Sequence, residues 1–173
     1  MSPDAARAAL RDEVDRVVEA WRRERPDLDV TPLQVLSRVS RLAHHLDRDR
    51  AAAFAAHDLE TWEFDVLAAL RRAGHPYELS PGQLVAETLV TSGTMTNRLD
   101  RLEARALVSR RPDPTDRRGV IVGATDEGLA LADTALAALL ERERALLSGL
   151  DPAAQGELAT LLRRLVVRFD QPH

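Results

Sequence analysis

A mostly α-helical fold with a small β component (α+β) is what this 173-residue sequence predicts, on three observations. Hydrophobic residues make up 45% of the chain but aromatic ones only 3%, so the core must be built from Leu, Val and Ala, which favour helices. Apolar residues recur at steps of three and four through most of the length. One stretch departs from that habit: LVSRRP (107–112) and GVIVGAT (119–125) read as two short β-like runs around the turn-rich connector DPTDRR (113–118). The length suits one ordinary domain with extensions rather than two independent ones.

From Pro3 to Arg25, the residues Leu10, Val14, Val17 and Trp21 form one stripe of an amphipathic helix that Pro26 ends. Thr31 and Pro32 supply an N-cap and a first-turn proline for a long helix through Leu36, Val39, Leu42, Leu46 and Phe54. A third helix covers Thr61 to Ala73, where Gly74 and Pro76 stop it. In SPGQLVAETLV (80–90), Ser80 is the N-cap, Pro81 the first helical residue and Gln83 the reciprocal partner of a capping box. The next helix opens near Ser92, and two helices joined by so short a turn are a helix-turn-helix signature. A helix-turn-helix followed by a hairpin is a winged helix. Thr125 then caps a long Ala/Leu helix to Leu147, Ser148 and Gly149 break it, and Asp151-Pro152 open a last helix containing Leu158, Leu161, Leu162, Leu165 and Phe169. The organisation is therefore 1–57 for the N-terminal helices, 58–125 for the winged helix-turn-helix and 126–173 for the C-terminal helices, in one compact chain.

With 24 basic against 28 acidic residues, a net charge of -4 and a pI near 5.7, the chain is no uniformly basic nucleic-acid coat, although a local basic patch remains open. Every basic residue is Arg, a planar fork suited to phosphate, guanine or carboxylate; a bias toward arginine codons reads the same way. Cysteine is absent, which removes disulfides and thiolate metal sites. The first residues, MSPDAARAALRDEVDR, have no apolar signal core, and no run approaches a membrane span, so a cytoplasmic location is expected.

TSGTMTNRLDRLEARALV (91–108) concentrates the chemistry. On a helical wheel Met95, Leu99 and Leu102 share a face that Ala106 continues, while Gly93, Thr94, Asn97, Arg101 and Ala104 lie away from it. A helix that grips the core with one side and shows hydroxyls and an amide on the other can enter a major groove. Residues 98–118 hold seven Arg (98, 101, 105, 110, 111, 117, 118) against Asp100, Glu103, Asp113 and Asp116, a net of +3. Candidate DNA contacts are Ser92, Thr94, Thr96, Asn97 and Arg101 on the helix, with Arg117 and Arg118 at the hairpin tip for the minor groove. Either segment alone would read as a solvated surface with ordinary ion pairs; both in this order favour DNA.

TSGTMTNRLDRLEARALVSRRPDPTDRRGVIVGATDEG (91–128) resembles the recognition helix and wing of the MarR family of winged-helix regulators, including the DPxDRR tip and the TxEG after the second strand. The resemblance implies a homodimer made by the terminal helices and a palindromic operator with half-sites about 34 Å apart. The stripe Leu158, Leu161, Leu162, Leu165 needs covering in any case, by a partner subunit or by the chain's own core. VVEAWRRERPDLDV (17–30) and EFDVLAALRRAG (63–74) further resemble the urate-responsive, HucR/PecS-type branch, with its extra N-terminal helix. That branch implies a ligand site at Trp21, Asp65, Arg72 and Arg98, and a repressor released from DNA by a planar anion such as urate, with a different ligand, such as a phenolic acid, as the alternative.

Asp65 and Arg72 lie two turns, about 10.5 Å, apart on one helix face, with Ala68 and Ala69 leaving room between them. Trp21 would offer a stacking surface, Arg98 a charge partner and Asp65 an acceptor for ring N–H groups. Each has a plainer reading: Trp21 as a packing anchor, Asp65 with Arg72 as a structural ion pair, Arg98 as a phosphate contact. No P-loop, GxGxxG after a strand, GxSxG or HExxH is present, so an enzyme is not expected; neither is a cofactor. His44 and His45 are adjacent and point in different directions, with only Asp49 placed to assist, so they read as surface histidines rather than a metal site. A non-specific helical DNA-binding protein would share the amphipathic helices without requiring the hydroxyl-rich turn.

Overall fold

The computed structural model describes residues 11–116 and 119–169. Its contacts divide the chain into two units, Met1–Asp49 and Arg50–His173.

In the first unit, α1 (Glu13–Glu24) starts later than its stripe suggests. Asp12 caps it, accepting from the Asp15 amide at 3.1 Å while the Asp15 side chain accepts from the Asp12 amide at 2.9 Å. Leu10 and Pro3 lie outside the described residues. The buried face is Val14 and Val18, closed by Val30 and Leu33, so the expected stripe is rotated: Val17 and Trp21 are exposed. Arg38 clamps the unit by pairing with both Asp12 and Asp15 at 2.8 Å; its guanidinium holds the Asp12 carboxyl below its ordinary range, and the Asp12 backbone amide, helped by Arg38, does the same for Asp15. Thr31 does not act as a side-chain cap. Its amide donates to Asp29 at 3.0 Å in a tight turn, and α2 (Leu33–Ala55) begins two residues later. His44 and His45 are exposed on α2.

The second unit holds the winged helix. α3 (Thr61–Ala73) has the predicted limits, and Gly74 stops it at a φ of 77°, a left-handed backbone that glycine adopts at no steric cost. Ser80 and Gln83 form the predicted capping box of α4 (Pro81–Thr88). Thr91 caps α5 (Ser92–Ala104) through the Thr94 amide at 3.3 Å. Strands β2 (Val108–Pro112) and β3 (Val120–Ala124) form the hairpin, and a two-residue strand β1 (Glu78–Leu79), too short to register as periodicity, adds to it in the antiparallel order β1-β3-β2. α6 (Asp126–Leu147) and α7 (Pro152–Val166) follow, capped by Thr125 and Asp151 as expected.

The core gathers Val66, Leu67 and Leu70 from α3, Leu84 from α4, Met95, Leu99 and Leu102 from α5, Val122 from β3, and Ala132, Ala135 and Leu139 from α6. Phe54 and Phe64 stack at 4.1 Å between ring centroids. The TxEG segment is the clasp between the end of α5 and the start of α6. The Thr125 hydroxyl donates to the Ala106 carbonyl at 2.9 Å and accepts from the Gly128 amide at 3.0 Å. A Cβ at Gly128 would run into the Leu107 carbonyl, so this close approach requires glycine. Among the described residues no helix is long and apolar enough to cross a membrane, and no cluster of three His, Asp or Glu is arranged to hold a metal ion.

Candidate nucleic-acid interface and ligand cavity

α5 is sorted by its stripe. Met95, Leu99 and Leu102 are sunk in the core while Ser92, Thr94, Thr96, Asn97 and Arg101 are exposed. The hydroxyls are partly engaged: Thr94 shares a hydrogen bond with the Thr91 hydroxyl at 2.9 Å, and Thr96 donates back to the Ser92 carbonyl at 3.1 Å. Neither bond covers the outer surface of the helix. At the hairpin, the Asp113 carboxylate accepts from the Thr115 amide at 2.8 Å and hydroxyl at 2.7 Å, which holds it below its ordinary range. Arg117 and Arg118 lie outside the described residues.

The basic strip is less free than its net charge suggests, because carboxylates from elsewhere in the chain meet it. Arg105 grips Glu63 with two bonds of 2.8 Å and reaches the Asp58 carbonyl at 2.8 Å. Glu63, only 2% exposed, also accepts from the Glu60 amide at 2.9 Å, so a carboxylate buried in the first turn of α3 is fully satisfied. Arg110 joins Asp100 at 2.7 Å, tying β2 to α5, and Arg111 pairs with Glu78 at 2.7 Å, tying β2 to β1. Arg101 pairs with Glu60, but both side chains are about half exposed, and such a surface pair contributes little. A phosphate can therefore take the place of Glu60.

Of the four expected ligand residues, two share a cavity. Asp65 and Arg72 line a space of about 330 Å³ between α3 and α6, with Phe64, Ala68, Leu136 and Leu140 as its apolar wall. The two do not pair with each other: Asp65 meets Arg50 at 3.6 Å, and Arg72 meets Glu87 of α4 at 3.1 Å. Burial raises the Asp65 carboxyl above its ordinary value, opposed by the charges of Arg50, Arg98 and Arg72. Arg98 acts on Asp65 through its charge but lies over the ring of Trp62, 5.4 Å from its centroid, outside the cavity wall. Trp21 belongs to the first unit, where it is 47% exposed rather than packed on its stripe. Sequence reasoning passed over Arg50, Glu60, Trp62 and Glu63; Trp62, three residues before Asp65 and so on its face of the helix, carried the one signal that spacing could have caught.

A family model described as MarR family matches residues 57–119. The HTH-type transcriptional regulator PecS of Dickeya dadantii is 42% identical over 153 residues, 88% of this chain and 92% of its own length. The chain belongs to the MarR family. This MarR family protein is a DNA-binding transcriptional regulator, and solved relatives place its fold. A mutant MarR from E. coli complexed with operator DNA aligns with a TM-score of 0.62 and 25% identity, covering 80% of this chain and 99% of that one. BpsR of Bordetella bronchiseptica, whose structure addresses regulation of DNA binding by 6-hydroxynicotinic acid, aligns at 0.58 and 30% identity over 74% of this chain and 98% of that one.

Proposed function

We propose that this regulator is a homodimeric repressor, acting in the cytoplasm by binding rather than catalysis, that leaves a palindromic operator when a planar anion such as urate binds. The observation that carries the DNA half is the division of α5, with Thr94, Asn97 and Arg101 exposed opposite a side locked in the core. A helix held this rigidly presents its outer residues to a groove in one orientation. The ligand half is supported by the cavity at Asp65 and Arg72, where a half-buried carboxylate and nearby guanidiniums offer both an acceptor and cations. The dimer is supported by α7, no described residue of which is buried in the single chain.

A second reading keeps the regulator and changes the signal. Phe64, Leu136, Leu139 and Leu140 make one wall of the cavity apolar, which favours an aromatic acid such as a phenolic acid over a ring polar on every edge. The acid named with BpsR is itself an aromatic carboxylate.

The test is selection of bound sequences from random duplex DNA, with and without urate, other purines and phenolic acids. A palindrome bound about 10³-fold or more above random duplex, and lost with one of these ligands, is the expected result. No enriched site would sink the operator, and an operator that no planar anion releases would sink the signal while leaving the DNA contact standing. Arg101→Ala, or Arg117→Ala, should weaken operator binding and lower the salt slope by about 1.

A further inference from the structure

Trp62 has no place in the sequence pattern for DNA or ligand, yet the fold sets it beside both arginines on which the functional reading turns. It stands in the first turn of α3, partly buried against the core, and its Nε1 donates to the Glu60 carboxylate at 2.8 Å. The guanidinium carbon of Arg101 lies 4.6 Å from the ring centroid and that of Arg98 5.4 Å. We infer that Trp62 is a positioning residue for DNA binding, an indole that holds the Arg101 guanidinium of α5 in place for phosphate. The inference rests on the reading of α5 as the helix that meets DNA.

Arginine is a flexible side chain, and part of the cost of engaging phosphate is the rotamer freedom it must give up. A guanidinium already lying on an aromatic face has given up part of that freedom beforehand. Its stacked face is occupied while its N–H edge stays free to donate, so the ring contact can persist when phosphate arrives. The Glu60 carboxylate holds the Arg101 Nη2 edge, so a phosphate that takes that edge displaces it. DNA binding is then an exchange of Glu60 for phosphate on an arginine that Trp62 keeps in position.

Operator affinity of wild type, Trp62→Phe, Trp62→Leu, Arg101→Ala and the Trp62→Leu/Arg101→Ala double variant decides the matter. Trp62→Phe keeps a π-face and should bind within about twofold of wild type, whereas Trp62→Leu, which keeps apolar bulk alone, should bind about fivefold more weakly. The double variant should bind no more weakly than Arg101→Ala, since Trp62 acts through that arginine. Wild-type affinity in Trp62→Leu, or losses that multiply in the double variant, overturn the inference. Undiminished binding by Arg101→Ala overturns the underlying contact assignment instead, and is seen before Trp62 is touched. A fluorescence measurement avoids dependence on the folding of Trp62→Leu: the chain has two tryptophans, so Trp21→Phe leaves Trp62 as the sole source of tryptophan emission. Its emission should change on saturation with operator DNA as Glu60 yields to phosphate, and an unchanged spectrum overturns the inference.

Discussion

Helices α5 and α7 carry the same kind of apolar stripe, and their surroundings treat it differently. On α5, Met95, Leu99 and Leu102 are buried by α3, α4 and the β-hairpin of the same chain. On α7 no described residue is buried; Leu161 is 49% exposed, with Leu158 and Leu165 beside it in the open. Periodicity announces that a face needs a cover, but it does not say which molecule supplies it. A recognition helix must be held rigidly by its own chain to present one orientation to DNA. A helix left open at the terminus suits a second copy of the chain, as the proposed dimer requires.

The largest effect that would sharpen this contrast is at the centre of the α5 stripe. Leu102→Ala should cost about 3 kcal/mol of folding stability, measured by urea unfolding, independently of protein concentration. A cost below 1 kcal/mol would mean that α5 is not locked as described. Next comes the clasp behind it: Gly128→Ala should lose about 2 kcal/mol, because the added methyl meets the Leu107 backbone and Leu67 Cδ2 with no room to give. Unchanged stability there would break the account of the TxEG segment.

On α7 the expectation reverses. Leu161→Asp should alter the fold of the single chain by less than about 0.5 kcal/mol, yet shift the assembly toward monomer in light scattering. Loss of folding in the monomer would place the cover within the chain after all. The smallest effect is at the cavity. The Asp65 carboxyl is raised by burial, so the folded state binds its proton more tightly than the unfolded chain does. Stability from this group is present at acid pH and declines as pH rises from the ordinary carboxylate range through the raised value. Asp65→Asn should remove that decline and stabilise the protein at neutral pH, by no more than about 0.5 kcal/mol once solvent screening of this half-exposed group is allowed for. A variant whose stability keeps the same acid-range slope would refute the assignment.

Much of the fold was legible because its signals are local. Ser80 with Gln83, Thr125 and Asp151 are caps whose partners sit within three residues, and the helices begin where these caps predict. The beginning of α1 was misplaced because an Asp12 capping box outweighed a stripe that continued upstream of it. The candidate DNA surface was legible from the alternation along α5. The charge picture was not: seven arginines between residues 98 and 118 suggested an open basic strip, but Glu60, Glu63 and Glu78 from earlier in the chain close much of it.

By itself, then, the sequence determined where α3 to α7 start, which face of α5 turns inward, and that a hairpin follows it, since each depends on residues a few positions apart whose geometry is nearly fixed by the backbone. Only the tertiary structure decided the partners of the arginines, the third strand at Glu78–Leu79, and the placing of Trp62 under Arg98 and Arg101. Arg105 and Glu63 stand 42 residues apart, and Arg101 and Glu60 41. No spacing rule spans such separations, because the chain between them can fold back in many ways, and packing of the core selects one.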